Sequence, residues 1–303
     1  MQGKGFAPSF DGAPGRMTGR LPPRAQYVFG RVAQLVERTS YTRLVPGSSP
    51  GTPTMDIKVI YEDKDVLVVD KPAGIVVFPE GQTKTGTLID ELIEKYPELV
   101  HTGCVPRYGI AHRLDKDTSG VLLVAKSTEG LIFLQKQFSA GAKALADKKN
   151  REGLEKNVEK RYIALVEGNI KEDSGIIHTL VGRSKKDGRK QKAYLENEPH
   201  PDSAREAITE YKVLEDFKNY TLLEVKIKTG RRHQIRCHFS YLQHPIAGDK
   251  LYGFKNSKTP KGLTRQFLHA QEIKIQLPNG KTENFISELP EDLKNILKKL
   301  DKE

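Results

Sequence analysis

The chain passes directly from a polar string, HRLDKDTSG (His112–Gly120), into an apolar run, VLLVA (Val121–Ala125). Five consecutive apolar residues behind a turn-forming string read as a short strand buried on both faces. That strand must sit inside a sheet, which places an aspartate flanked by basic and hydroxyl groups at the sheet's end. Asp, Thr, Ser and Gly also make an ordinary tight turn, because the first three bond their own backbone and Gly accepts positive φ. The string alone therefore fits a turn as well as a catalytic loop.

The surrounding segments narrow the fold. IKVIYEDKDVLVVDKP alternates around Glu62–Asp65 as a β-hairpin, and TLIDELIEKY puts Leu88, Ile89, Leu92 and Ile93 on one helical face ahead of Pro97. Leu131, Leu134 and Phe138 recur at helical spacing, and the lysine-rich stretch Ala140–Lys160 is expected to be mobile. KRYIALVEG, GIIHTLVG, AITEYKVLED, YTLLEVKIKTG and FLHAQEIKIQLP, with a turn at Asn279-Gly280, are β-rich. Hairpins mixed with a few helices, without regular strand–helix alternation, predict an α+β fold with a largely antiparallel sheet.

In TGRRHQIRCHF, helical spacing puts Arg232 and Arg236 on one face, beside an apolar stripe of Ile235, Phe239 and Leu242. Taken alone, such a helix is a solvated basic face, Tyr162 of KRYIALVEG a packing partner between strands, and Leu268 of RQFLHA a core residue. Asp117 lies too close to Asp115 for the pair to flank a sugar as glycosidase carboxylates do, at about 5 Å or more.

Taken as an ordered set, HRLD, KRYIALVEG, HQIR, HPIAGD and RQFLHA resemble the RluA-type pseudouridine synthases, which isomerise uridine in ribosomal and transfer RNA. The resemblance runs from Met55 to Leu289. It implies a bent mixed sheet with flanking helices and a central RNA cleft. It also implies that Asp115 is the nucleophile, attacking the base or the sugar carbon. Burial opposes ionisation of a carboxylate, so a guanidinium should stand beside it, and the resemblance assigns Arg236. By the same resemblance Tyr162 is expected to stack on the target base and to take the proton from its carbon 5, with Leu268 packing beneath the ring. A base must leave its helix to reach such a site, and Arg113 is the residue implied to steady the opened stack. Arg231 and Arg232 are expected on phosphate, as are Lys185, Lys186 and Arg189 in GRSKKDGRKQKA (Gly182–Ala193), while Gln243–Gly253 reads as structural. No metal and no cofactor is implied, since the reaction involves no redox change.

Charge agrees with an RNA partner: Lys and Arg outnumber Asp and Glu by 50 to 39. The two cysteines, Cys104 and Cys237, lack ligand spacing. With no secretory signal and no long apolar run, the expectation is a cytoplasmic protein, monomeric and acting on ribosomal RNA first and transfer RNA second. The competing readings are an RNA-binding protein of the same fold without catalysis, and a hydrolase, which would need a second, water-activating carboxylate.

Residues 1–54 contain 8 Gly and 7 Pro without sustained periodicity, which predicts disorder. VAQLVER (Val32–Arg38) and GSSPG (Gly47–Gly51) translate nucleotide strings resembling the D-arm and T-arm of a transfer RNA gene, in that order, shortly before Met55. The segment is therefore expected to be an upstream extension of the reading frame, with residues 55–303 forming the catalytic domain.

Overall fold

Asp63 makes the first turn: its carboxylate accepts the Asp65 and Val66 amides at 2.8 and 2.7 Å, which folds β1 (Lys58–Glu62) back onto β2 (Val66–Lys71). The computed structural model describes residues 56–146 and 158–300, so the expectations for residues 1–54 fall outside it. Next comes α1 (Leu88–Lys95), opened by a reciprocal Thr87–Asp90 capping box that satisfies amides a helix start leaves free. Its apolar face, Leu88, Ile89 and Leu92, is buried.

β3 (Ser119–Ala125) is buried along its whole length, as a strand with neighbours on both faces must be. Leu67, Val69, Leu122 and Val124 of β2 and β3 join a core on one face of the sheet; Val66, Val68, Val121 and Leu123 join a second core on the other. Leu131 and Leu134 of α2 (Thr128–Ala146) cover the second. Fully burying each such side chain contributes about 1.5–3 kcal/mol before the entropic cost.

The remaining strands are β4 (Val158–Glu167), β5 (Ser174–Arg183), β6 (Gln191–Tyr194), β7 (Arg205–Phe217), β8 (Tyr220–Ile227), β9 (Leu268–Gln276) and β10 (Thr282–Ile286). They complete a 10-stranded sheet in the order β1-β2-β3-β9-β4-β8-β7-β5-β6, with β10 also on β9. Among the described strands only β3 and β9 run parallel, and they pair through just Ser119↔His269 and Gly120↔Ala270. Gly120 permits that approach: at φ +118°, a Cβ there would lie 2.1 Å from the Ala270 carbonyl oxygen. Beyond this point the two strands part, and β10 takes over the edge of β9 from Glu272 onward.

The opened edge of β3 is closed by the segment leading into HRLD. The Ala125 amide donates to the Gly109 carbonyl at 2.8 Å, and the Leu123 amide to His112 Nε2 at 3.0 Å. Burial pushes the His112 imidazole down to about 3, so it stays neutral and keeps the acceptor this bond needs. The split in the sheet thus fixes one end of the aspartate loop and the β3–β9 contact fixes the other.

The structure corrects two expectations. Ala140–Lys160 is not a continuous mobile stretch, because α2 runs to Ala146 through the helix-favouring AGAKALA, and β4 already begins at Val158. Residues 147–157 lie outside the described range. The helix of TGRRHQIRCHF is α3 (Gln234–Tyr241), which starts only after His233 adopts left-handed φ 53°, so Arg232 shares no helical face with Arg236. A last helix, α4 (Glu291–Leu297), adds Leu293 and Ile296 to a third buried cluster that also holds Ile163 and Leu165 of β4. Among the described residues no helix is long and apolar enough to cross a membrane.

Candidate active site

Asp115 emerges at the end of the loop that the sheet split anchors, and Arg236 reaches it from the first turn of α3. The Arg236 Nη1 donates to Asp115 Oδ2 at 2.8 Å. The other edge of the same guanidinium is gripped by Asp249, with Nε–Oδ2 at 2.6 Å and Nη2–Oδ1 at 2.9 Å. Arg236 therefore bridges two carboxylates. Burial works against its charge, but Asp249 and Asp115 outweigh that and raise its proton affinity further. Burial alone would likewise raise the Asp249 carboxyl; Arg236 and the Tyr252 and Leu251 amides hold it below the usual carboxylate range.

Asp249 is the candidate site residue that the sequence reading missed. It lies in HPIAGD, taken as structural, and its signal was an aspartate after a Gly bend in a segment otherwise apolar. Its side chain is fully buried, whereas that of Asp115 keeps 17% exposure. The fork-on-fork contact with Asp249 fixes the guanidinium plane, leaving one N–H directed at the more open carboxylate.

Lys71, at the end of β2, holds the aspartate loop from below. Its ammonium donates to the carbonyls of Pro72, Lys116 and Thr118 at 2.8, 3.0 and 2.9 Å. Burial pushes it down to about 7, against the pull of Asp115 and Asp117. Arg265 holds the far side of the loop, donating to the Asp117 carbonyl at 3.1 Å while its Nε pairs with Asp292 of α4 at 2.7 Å. Neither residue was singled out from sequence, because each acts on main-chain carbonyls that no side-chain pattern reveals.

Tyr162 and Leu268 enter from β4 and β9 and belong to one buried cluster with Leu114, Ile235 and Phe239. The β4–β9 register slips between Arg161 and Ile163, an irregularity of the kind that re-aims side chains beside sites. Burial, and then the charge of Asp115, raise the proton affinity of the Tyr162 phenol, so it stays protonated at neutral pH. On the opposite side His233 Nε2 stands 3.9 Å from Asp115 Oδ1, while its Nδ1 lies 3.0 Å from the Tyr252 hydroxyl.

The remaining cations divide by burial. Arg113 lies over the Phe78 ring, 5.3 Å from its centroid, and forks onto Glu80 with two bonds of 2.5 Å. Arg231, expected on a solvated face, is instead half-buried, its Nε donating to the Glu206 carbonyl at 3.0 Å. Arg232 is exposed. Lys185, Lys186 and Arg189 are exposed on the β5–β6 loop; Arg189 pairs with Asp187 at 2.8 Å, and among the described residues the two lysines pair with no carboxylate. That loop is tied to the site through Tyr252, whose hydroxyl accepts the Gln191 amide at 2.7 Å and whose ring lies 5.1 Å from the Arg236 guanidinium carbon.

A carboxylate held by guanidinium, close to a buried phenol, at the split of a mixed sheet with cations around it, makes a candidate active site. Residues 65–241, more than half of the chain, match the family described as RNA pseudouridylate synthase, and the chain belongs to that family. It is 42% identical over 209 residues to an uncharacterized RNA pseudouridine synthase of Aquifex aeolicus, an alignment covering 68% of this chain and 59% of that one. It is 36% identical over 256 residues to the ribosomal large subunit pseudouridine synthase D of Xanthomonas campestris, covering 80% and 69%. The solved structure of human RNA pseudouridylate synthase domain containing 1 shares the fold at TM-score 0.61 and 24% identity, covering 84% of this chain and 91% of that one. The α+β architecture with a mostly antiparallel sheet agrees with that neighbour.

Proposed function

We propose that this chain isomerises uridine to pseudouridine in RNA, with ribosomal RNA of the large subunit as its substrate. The observation that carries the reading is the Asp115–Arg236 contact of 2.8 Å, inside the family-matched region and open to solvent on the Asp115 side. An ionised carboxylate in that position can attack the uracil ring or the sugar carbon, breaking the nitrogen–carbon bond so that the base can rotate and rejoin through its carbon 5. Asp115 is then expelled, the ring nitrogen freed from the sugar takes up a proton, and the carbon-5 proton leaves to water on the open side of the site. Tyr162 packs against the ring in this reading and is the candidate group for handling that proton; burial and the Asp115 charge both raise the proton affinity of its phenol. Leu268 supplies the other apolar contact to the ring.

Arg113, Arg231, Arg232, Lys185, Lys186 and Arg189 serve RNA binding in this reading. For Arg113, binding means exchanging the Glu80 carboxylate for phosphate or a base face, a swap that bidentate guanidinium geometry permits. The substrate assignment follows the Xanthomonas relative, a ribosomal large subunit pseudouridine synthase by name. The enzyme is taken to work in the cytoplasm as a monomer without metal or cofactor, and residues 1–54 to lie outside the catalytic domain. Mapping pseudouridine in ribosomal and transfer RNA from cells with and without the gene tests the assignment: sites lost only from large-subunit RNA support it, and an unchanged map contradicts it.

A further inference from the structure

Among the described residues, Lys160 is a cation beside the site that neither the chemistry above nor a carboxylate accounts for. It lies on β4 two residues before Tyr162, about 7 Å along the strand, at the edge of the register irregularity between Arg161 and Ile163. Its ammonium is 5.5 Å from the centroid of the Phe138 ring of α2 and lies against the main chain at Gly230, where a methyl group would stand 3.5 Å from Nζ. The charged and titratable groups facing it are His112, from the start of the aspartate loop, and Arg231, from the loop before α3. On the neighbouring strand β9 its register partner is the apolar Ile273. Among the described residues it has neither a hydrogen-bond acceptor nor a carboxylate partner.

A half-buried ammonium with no counter-charge among the described residues is costly, and a cation–π contact offsets only part of that cost. The neighbours make matters worse, since His112 is neutral and Arg231 repels. Burial first, and then Arg231, push Lys160 down to about 8. Groups with strongly shifted proton affinity cluster at functional sites, and a cation with no anionic partner among the described residues is a candidate to receive an anion from outside. The competing account is that the lysine stem covers apolar surface and the ammonium reaches water.

We infer that Lys160, with Arg231 behind it and the Gly230 main chain beside it, is a binding site for a backbone phosphate of the nucleotide next to the target uridine. The site rests on the RNA-substrate reading above. It would register the strand one step from the base that Tyr162 packs against, and a phosphate there would supply the charge that Lys160 lacks.

The test is filter binding of an unmodified large-subunit ribosomal RNA transcript to wild type, Lys160→Met and Lys160→Arg, across salt and pH. Lys160→Met should flatten the log–log salt dependence by about one unit, which corresponds to roughly fivefold weaker binding at 0.15 M salt relative to 1 M. Because the ammonium must be charged when it holds phosphate, wild-type affinity should fall by up to about tenfold per unit as pH rises above 8. Lys160→Arg should keep the salt slope and lose that pH dependence, since a guanidinium does not titrate there. Lys160→Met should melt no lower than wild type. An unchanged salt slope in Lys160→Met, or a lowered melting temperature with unchanged RNA affinity, overturns the inference in favour of the stem role. Should Lys160→Met fail to fold, Lys160→Arg decides: a pH dependence equal to that of wild type sinks the idea. If wild type itself binds the transcript no better than a non-cognate RNA of equal length, the substrate reading fails first.

Discussion

Two arginine–aspartate pairs in this molecule have nearly the same bond lengths and very different standing. Arg236 donates to Asp115 at 2.8 Å and to Asp249 at 2.6 and 2.9 Å, all three partners being largely or wholly enclosed. Arg189 donates to Asp187 at 3.0 and 2.8 Å on the β5–β6 loop, where the arginine is 79% exposed. Water screens the second pair and competes for each of its bonds, whereas nothing replaces a lost partner in the first. Geometry alone therefore says little about what a charge does. Enclosure holds the Arg236 pair fixed, and exposure leaves the β5–β6 loop free to trade its partners, as the proposed phosphate contacts require.

The sharpest way to break this contrast is to remove Arg236. Arg236→Ala strands two carboxylates in the interior and should destabilise the protein by about 3–5 kcal/mol, measured by urea unfolding, with loss of turnover. A variant as stable as wild type would mean that the enclosed pair is worth no more than the exposed one. Asp249→Asn is milder, because one charged partner remains. It should lower kcat about tenfold or more with little change in KM, since the change loosens the guanidinium that orients Asp115 without touching RNA. Its stability deficit should also depend on pH in a definite direction. The folded-state affinity of Asp249 for its proton is lowered, so its contribution is present above the ordinary carboxylate value near ~3.9 and is lost as pH falls through the folded value. The gap in melting temperature between wild type and Asp249→Asn should therefore close in acid and stay open at neutral pH.

On the exposed side, Lys185→Ala with Lys186→Ala should leave the melting temperature unchanged and flatten the salt dependence of RNA binding by about one unit for each phosphate no longer neutralised. Turnover should recover at higher RNA concentration. A drop in melting temperature comparable to that of Arg236→Ala would erase the distinction between the regions. The smallest effect is expected from starting the chain at Met55, which should alter neither unfolding cooperativity nor activity. Loss of either would show that residues 1–54 belong to the working protein.

How much of this was legible in the sequence follows the same division. Periodicity located the β1–β2 hairpin, α1 and the buried β3, because local pattern and tertiary burial agree there. It misplaced the start of α3, since the left-handed turn at His233 is a backbone event that an unbroken run of helix-compatible residues conceals. The end of α2 was underestimated by weighting lysines over the alanines among them. Asp115 and Arg236, far apart in sequence, were brought together by resemblance, and Asp249 went unnoticed because an aspartate after Ala-Gly looks like any turn until its depth is known. The holds of Lys71 and Arg265 on main-chain carbonyls were invisible for the same reason: sequence patterns record side chains, and these bonds are made to the backbone.

The central claim is that an enclosed, guanidinium-held carboxylate performs the chemistry while the half-buried and exposed cations around it perform the binding. Its most direct test is tritium release from large-subunit ribosomal RNA labelled at uridine carbon 5, comparing wild type with Asp115→Asn, alongside RNA affinity. Asn keeps the shape of Asp and removes its charge and most of its nucleophilicity. The account predicts that release falls at least about a thousandfold while affinity stays within a few-fold of wild type. Release from Asp115→Asn at a rate near that of wild type would show that Asp115 is not the nucleophile and would contradict the division of labour itself.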